Sequence, residues 1–388
     1  MKIYRTILVS KVVFLFKNER GGSFLITFYG PIYDVTGYAT ASRSIIRLLA
    51  DCGYDIGVIP NNSWSIYGIK LSQPDHTLFD RLVVNTIQSN SNIYSMQTLT
   101  TTSNVKGKKL VHTMFETDRC PDSWVNNLNQ ADYIFLPSDF GVHNFRRSGV
   151  KNCFYFPFYI DTEKFNPETK KLITRPEFKF LFMGDATPRK NLDMVLISFL
   201  NTFRDKNDVS LTIKIFINDL ELSYFCDRIS KVRKKMGVNK YPYIYLYPQI
   251  LSNEVIPGFI NSFDCLVAPS SGEGFGLPQL LSMASGKPII SPMWSAMMDY
   301  INNDNALLLH YDIKEVPYDI VKIDKNFYGH QWAWPSLEHL SLLMKWAFDH
   351  PVECNTIGIK ARETVIQKYS KVKVASILDS IFKEIGVN

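Results

Sequence analysis

The most constraining feature of this sequence is a glycine-rich turn at residues 270–276. An apolar run at 264–269 predicts a buried parallel strand before the turn, and the apolar segment after it predicts a helix ending at Gly286. A strand, a glycine turn and a helix in this order bring free backbone N–H groups and the positive end of the helix dipole to one anion site. Glu273 would repel a phosphate, and its carboxylate more readily accepts hydrogen bonds from a polyol. The turn therefore favours a sugar phosphate or a nucleotide sugar, against the alternative of a surface turn with a solvated glutamate.

Length and composition predict a two-domain globular protein. A chain of 388 residues exceeds the usual limit of one hydrophobic core. Its net charge of +6 permits contact with an anionic membrane or a nucleic acid without requiring either. The six cysteines lie far apart without a CxxC pair, which argues against a zinc site or a disulfide scaffold and favours a reducing cytosol.

The N-terminus resembles a signal sequence only superficially. Lys11 interrupts the apolar run at 7–16, and no small-x-small cleavage site follows it. We expect residues 1–20 to form an extra strand or a loosely attached leader. No other run approaches the ~20 apolar residues of a membrane span, so we expect a cytoplasmic protein.

The order of apolar runs and amphipathic segments predicts two α/β domains. Strands alternate with helices in both halves, which is typical of doubly wound parallel sheets. The predicted strands are 23–29, 54–60, 109–115, 133–137, 153–158, 178–183, 211–217, 243–247, 264–269 and 288–291. The main predicted helices are 39–52, 76–87, 122–130, 139–148, 222–236, 254–263, 336–349 and 354–385, the last broken near Tyr369. The charged, proline-containing segment 160–177 is the predicted linker between an N-terminal domain (1–159) and a C-terminal domain (178–388).

Further candidates follow predicted strands, where open α/β sheets bind ligands. Gly37 lies at the start of the first helix, in what would otherwise be an ordinary capped loop. Lys190, beside Arg189 near a helix start, is suited to a departing diphosphate, and its alternative is a solvated lysine. Glu116 follows a strand end, where it would equally serve as a partner of Arg119 or as a helix cap.

These blocks together resemble the family-four retaining glycosyltransferases of the GT-B fold, in a bacterial subgroup that builds surface polysaccharide. The resemblance covers roughly residues 24–385. It rests on these blocks of sequence: Glu273-Gly274-Phe275-Gly276-Leu277-Pro278, Met283-Ala284-x-Gly286-x-Pro288, Gly30-Pro31 with Gly37-Tyr38 and Ser42-Arg43, Phe115-Glu116-Thr117-Asp118, Arg189-Lys190-Asn191, and Trp294-Ser295 with Asp299-Tyr300.

The resemblance implies a role for each matching residue. Lys190 and Arg189 would neutralise the donor's diphosphate, and Glu273 would read hydroxyls of the transferred sugar. Gly37 would let its loop approach the diphosphate, and Glu116 would face the sugar or the acceptor. The remaining donor-side positions are those of the turn and the helix after it: Gly274, Phe275, Gly276, Leu277 and Leu281.

Two positions depart from the family pattern. Leu281 stands where the family usually has a ribose-binding glutamate, and Asp185 stands where it usually has an arginine. Both changes leave open an altered donor or a decayed, non-catalytic sugar-nucleotide or glycan binder. His112 and Tyr38, with Asp185, are possible sugar or acceptor contacts, although His112 fits a core histidine better.

The resemblance implies a metal-independent enzyme without a cofactor, and the sequence contains no Asp-x-Asp cluster. The donor would be a UDP- or GDP-sugar and the acceptor a glycan or a lipid-linked hydroxyl, with possible peripheral contact at the inner face of the membrane. The basic segment 228–235 raises modified DNA as another acceptor, but such a helix is more often a solvated face. The aromatic segment 327–334 would either stack on a sugar or pack between elements.

Overall fold

The computed structural model describes residues 7–9, 12–14, 25–33, 36–60, 82, 91–95, 107–215, 219–235 and 242–387. The predicted helix at 76–87 lies outside these residues except for Leu82. In the region predicted as an extra strand or leader, the described residues form two short antiparallel strands, β1 (Ile7–Val9) and β2 (Val12–Phe14).

Within the described residues, six parallel strands form the sheet of the N-terminal domain, in the order β4-β3-β5-β6-β7-β8. The strands are β3 (Leu25–Gly30), β4 (Asp55–Pro60), β5 (Ser91–Ser95), β6 (Lys108–His112), β7 (Tyr133–Leu136) and β8 (Cys153–Tyr155). The helices of this domain that the structure describes in full are α1 (Gly37–Asp51), α2 (Asp122–Leu128) and α3 (Asp139–Arg147). The side chain of Thr36 caps α1 by accepting a hydrogen bond from Ala39 N, and Gly53 ends it at φ 84°.

The described part of the C-terminal domain also forms a sheet of six parallel strands, in the order β11-β10-β9-β12-β13-β14. The strands are β9 (Phe178–Met183), β10 (Val209–Lys214), β11 (Tyr243–Tyr247), β12 (Cys265–Val267), β13 (Ile289–Ser291) and β14 (Leu307–Leu308). The helices that pack on it include α4 (Leu192–Thr202), α5 (Asp219–Lys235), α6 (Ile256–Asn261) and α7 (Leu277–Ala284). Two Rossmann-like doubly wound domains are thus present, which confirms the predicted fold class.

A hairpin follows the second sheet and contacts both domains. It consists of antiparallel strands β15 (Tyr311–Glu315) and β16 (Gln331–Pro335), with the short helix α8 (Tyr318–Ile323) between them. The sequence did not predict this hairpin. It also missed β5, whose five residues are all buried although three of them are polar.

The chain ends in three helices, α9 (Leu337–Asp349), α10 (Pro351–Tyr369) and α11 (Lys371–Glu384). The predicted break near Tyr369 occurs at Ser370, which has extended backbone. Helix α11 returns to the N-terminal domain, where Lys371 pairs with Asp51 and Phe382 packs edge-on against Tyr54. None of the described helices is long and apolar enough to cross a bilayer.

Candidate functional site

The glycine turn of the C-terminal domain lies directly against the loop that follows β6 in the N-terminal domain. A Cβ atom added to Gly272 would lie 2.2 Å from the carbonyl oxygen of Glu116, and one added to Gly274 would meet the side chain of Met114. Glycine is required at both positions because any side chain would separate the two loops. The turn therefore forms one wall of an interdomain cleft in its closed arrangement.

The turn is held in shape from within its own domain. Gly276 adopts a left-handed φ of 80° as the cap of α7, and the hydroxyl of Tyr300 donates to the carbonyl of Phe275 at 3.2 Å. The backbone N–H of Glu273 donates to Ser295 Oγ at 2.8 Å. Ser295 has a left-handed φ of 57°, which is unusual for a non-glycine residue, and it presents this hydroxyl from a buried position.

The cations that precede α4 are fastened to the same turn. Arg189 and Lys190 belong to a 3₁₀ turn, and Asn191 leaves it with a left-handed φ of 54°. The amide of Asn191 donates to Ser271 Oγ at 2.9 Å, and the N–H of Ser271 donates to the carbonyl of Arg189 at 2.8 Å. These bonds place both cationic side chains beside Glu273.

A buried charge cluster joins the two domains. Lys190 Nζ lies 2.5 Å from Glu273 Oε1, and Arg189 Nη1 lies 3.2 Å from Glu273 Oε2. The same guanidinium lies 3.5 Å from Glu116 Oε1, on the opposite side of the cleft. Glu273 and Lys190 are only 6% and 8% exposed. Two cations therefore face two carboxylates in a site from which most water is excluded.

The electrostatic environment keeps Glu273 ionised. Burial alone would raise its pKa, but the charges of Lys190 and Arg189 outweigh that effect and lower the pKa to about 2. The carboxylate consequently acts as the internal counter-charge of both cations. An incoming anion would have to take over these contacts from Glu273.

Tyr38 and Gly37 reach this cluster from the start of α1. The hydroxyl of Tyr38 donates to Glu116 Oε1 at 3.5 Å, and the charge of Glu116, followed by burial, raises the pKa of the phenol. A Cβ atom on Gly37 would meet nothing within 4 Å. The described residues thus leave space in front of Gly37, and its contact with a donor stays a prediction.

Two candidates, His112 and Leu281, lie outside the cluster, whereas the charge of Asp185 acts on both Arg189 and Tyr38. His112 is fully buried, its Nε2 lies 3.3 Å from the carbonyl of Phe156, and burial lowers its pKa to about 4. These facts favour the core interpretation over a sugar contact. Leu281 is 8% exposed within the apolar core, and Asp185 accepts hydrogen bonds from the backbone and hydroxyl of Thr187 in its own turn.

The aromatic segment 327–334 serves chiefly for packing between domains. Phe327 stacks at an angle on Phe115 with ring centroids 4.9 Å apart, and His330 Nδ1 lies 2.6 Å from Thr117 Oγ1. Tyr328 and Trp334 are the exceptions, since they remain 79% and 42% exposed. The hairpin therefore holds the loop that carries Glu116, a role that no pattern in the sequence indicated.

The basic segment 228–235 lies on α5, where Arg228 pairs with Asp193 and Lys231 and Lys234 are exposed. This arrangement fits the solvated-face interpretation. In the described part of the chain, no group of three His, Cys, Asp or Glu side chains is placed to hold a metal ion.

Comparison with solved structures defines the fold class. Sucrose-phosphate synthase from Thermosynechococcus elongatus superposes with a TM-score of 0.68 at 12% identity, covering 93% of this chain and 99% of that one. HepE from Anabaena, in complex with UDP and glucose, superposes with a TM-score of 0.63 at 12% identity, covering 92% and 99%. The fold is accordingly that of the GT-B glycosyltransferases.

Sequence comparison finds similarity to glycosyltransferases, and the family match lies in the C-terminal domain. Residues 177–323 match the family model of Glycosyl transferases group 1. The uncharacterized glycosyltransferase 335 of Sulfolobus islandicus rod-shaped virus 1 is 28% identical over 227 residues, which are 55% of this chain and 63% of that protein. Glycogen synthase from Mycoplasma mobile is 26% identical over 238 residues, which are 57% of this chain and 46% of that protein. The matched regions thus span less than two thirds of these relatives.

Proposed function

We propose that this chain is a glycosyltransferase that moves a sugar from a nucleotide-sugar donor to a hydroxyl group of a glycan or lipid-linked acceptor. The observation that carries the proposal is the pair Arg189 and Lys190, held against the glycine turn at the carboxyl edge of a GT-B domain. The group 1 match covers this same domain, and HepE, a protein of the same fold, was solved with UDP.

The proposed donor exchange follows from the charge cluster. The diphosphate replaces the Glu273 carboxylate as the partner of Lys190 and Arg189, and the released carboxylate accepts hydrogen bonds from the sugar hydroxyls. The turn N–H groups of Gly274, Phe275 and Gly276 add donors at the start of α7. One carboxylate thus serves as counter-ion before binding and as sugar ligand afterwards.

The chemistry we propose is transfer with retention of anomeric configuration, as in family-four enzymes that build surface polysaccharide. The diphosphate leaves while the acceptor hydroxyl attacks from the same face, through an oxocarbenium-like state. Lys190 and Arg189 stabilise the negative charge that develops on the leaving group, and domain closure positions the reactants without a metal. Glu116 and Tyr38 face the reacting centre from the N-terminal domain.

The first test is transfer or donor hydrolysis across a panel of UDP- and GDP-sugars. Lys190→Met removes the leaving-group cation and Glu273→Gln removes the charge but keeps the shape, so each should lower turnover at least tenfold. Lys231→Met, on the exposed face of α5, is the matched control and should retain full activity. Turnover that survives both site substitutions would refute the assignment, and the anomer formed first, read by NMR, tests retention.

A non-catalytic binder is the second candidate, and Leu281 favours it because an apolar side chain stands where a polar ribose contact was expected. Under that alternative, calorimetry would show donor binding while long incubation gave neither transfer nor hydrolysis. Peripheral membrane contact in a cytoplasmic protein, or a modified-DNA acceptor, would require salt-dependent binding to anionic vesicles or to DNA.

A further inference from the structure

A second buried cation lies beside the proposed phosphate site. Lys214 is the last residue of β10, at the edge of the sheet where the strands end and ligands collect. Its carbonyl oxygen accepts a hydrogen bond from Gly184 N at 3.1 Å, so it adjoins the loop that leads to Lys190. Neighbouring strands lie about 4.8 Å apart, which places Lys214 one strand away from that loop.

Lys214 differs from the other buried lysines that the structure describes, because no described residue supplies its counter-charge. Its side chain is buried, at 9% exposure of the residue, and its ammonium makes no hydrogen bond or ion pair with any residue that the structure describes. Lys179 pairs with Asp264 at 3.1 Å, and Lys190 pairs with Glu273. Burial lowers the pKa of Lys214 to about 8, which leaves the ammonium charged at neutral pH. An unpaired buried cation at a ligand-binding edge is a typical sign of a missing anionic or strongly polar ligand.

The neighbours of Lys214 suggest what that ligand is. In the pairing register, Lys214 lies between Met183 of β9 and Tyr247 of β11, on the same face of the sheet. Both neighbours are only partly buried, and the ring of Tyr247 is supported by Phe259 at 5.0 Å between centroids. A flat aromatic wall beside a hydrogen-bond donor fits a planar heterocycle that carries acceptor oxygens.

The position of Lys214 relative to the proposed diphosphate site favours a contact with the nucleobase over a contact with a phosphate. Arg189 and Lys190 face Glu273 on the β12 side of β9, whereas Lys214 lies on the β10 side. A nucleoside directed from a diphosphate at the β9 loop toward β10 would bring its base beside Lys214. Uracil and guanine present ring carbonyl oxygens to a donor, but the exocyclic group of adenine is itself a donor.

Resting on the proposed function, we infer that Lys214 donates a hydrogen bond to a carbonyl oxygen of the donor's nucleobase, with Tyr247 as the aromatic wall of that subsite. Lys214 is thus a specificity-determining residue that favours UDP- or GDP-sugars over ADP-sugars.

The test is calorimetric binding of UDP, ADP and pyrophosphate to the full chain and to Lys214→Met. Loss of a charged hydrogen bond should weaken UDP binding about tenfold or more, while ADP and pyrophosphate bind as before. Lys287→Met is the matched control, because burial also lowers the pKa of Lys287 to about 8. Lys287 precedes β13, so it lies where the strands begin and not where they end. The control should bind all three ligands like the wild type.

Each alternative outcome has a distinct meaning. Equal weakening of UDP and pyrophosphate would make Lys214 a phosphate ligand, and unchanged UDP binding would remove it from the site; either result overturns the inference but leaves the proposed function intact. Failure of the wild type to bind any of the three ligands would refute the donor site itself. Removal of an unpaired buried charge does not destabilise the fold, so Lys214→Met should melt at or above the temperature of the wild type. That result would show that its weaker UDP binding does not come from a folding defect.

Discussion

Replacing Gly272 with alanine should hold the two domains apart. The new methyl carbon would lie 2.2 Å from the carbonyl oxygen of Glu116 and 2.9 Å from Cζ3 of Trp294. Since non-bonded carbon atoms prefer separations of about 3.5–4.0 Å, the loops must part by roughly 1 Å or more. Gly272 does not have a left-handed φ, so the backbone itself accepts alanine and the effect is steric.

The magnitude follows from the cost of overpacking, which is about 1–3 kcal/mol. Because tenfold corresponds to about 1.4 kcal/mol, the ratio of closed to open molecules should fall about 5- to 140-fold. Opening also separates Arg189 from Glu116 and breaks the hydrogen bond from Gln331 N to Asp118 Oδ1, which is 2.8 Å long in the closed arrangement.

Small-angle X-ray scattering is the direct assay, and the radius of gyration of Gly272→Ala should exceed that of the wild type. Gly37→Ala is the matched control, because its methyl group enters open space. If Gly272→Ala scatters and melts like the wild type, the close approach of the two loops is not what holds the closed arrangement, and the steric reasoning fails.

Three further predictions concern buried charges and the free space in front of Gly37. Lys190→Met should lower the free energy of unfolding by about 3–5 kcal/mol, because it leaves Arg189 as the one cation between the carboxylates of Glu273 and Glu116 in the described cluster. Adding Glu273→Leu should recover part of that loss in denaturant titrations, and strict additivity would contradict the pairing. Burial raises the pKa of Asp299 to about 6, so its ionised form costs stability, and the wild type should lose melting temperature relative to Asp299→Asn as pH rises from about 4 to 7; parallel curves would contradict this sign. Gly37→Ala should keep the melting temperature of the wild type but bind UDP-sugars more weakly by calorimetry, and equal affinity would show that the donor does not approach Gly37 closely.

Most strands could be predicted because a parallel sheet covered on both faces leaves continuous apolar runs. Strand β5 shows where that signal fails. Its polar side chains are buried because they pair inside the domain, as when Ser95 Oγ lies 2.9 Å from Ser42 Oγ. The hairpin of β15 and β16 could not be predicted for the opposite reason. Strand β15 is largely exposed, so its sequence shows no periodic pattern of apolar residues.

The candidate site was predictable in its members but not in its pairings. Glycine turns and adjacent cations leave local signals, so Glu273, Lys190 and Glu116 could all be named. Their contacts join residues far apart in the chain, and no single sequence reveals that Arg189 bridges two carboxylates across the cleft. The role of Ser295 could not be predicted, because its support of Glu273 depends on a left-handed backbone conformation that serine rarely adopts.

The return of α11 to the first domain has a mechanical consequence. The chain passes between domains twice, and the two passages run side by side, where Ile160 N donates to the carbonyl of Tyr369 at 2.8 Å. The ammonium of Lys108 donates hydrogen bonds to the carbonyl oxygens of Ile385 and Gly386. These residues therefore move with the N-terminal domain. Because the two segments that connect the domains lie side by side, one domain can rotate about them against the other. The same arrangement suppresses sliding between the domains. Loss of the residues after Ser370 would leave one passage in place and free the domains to twist.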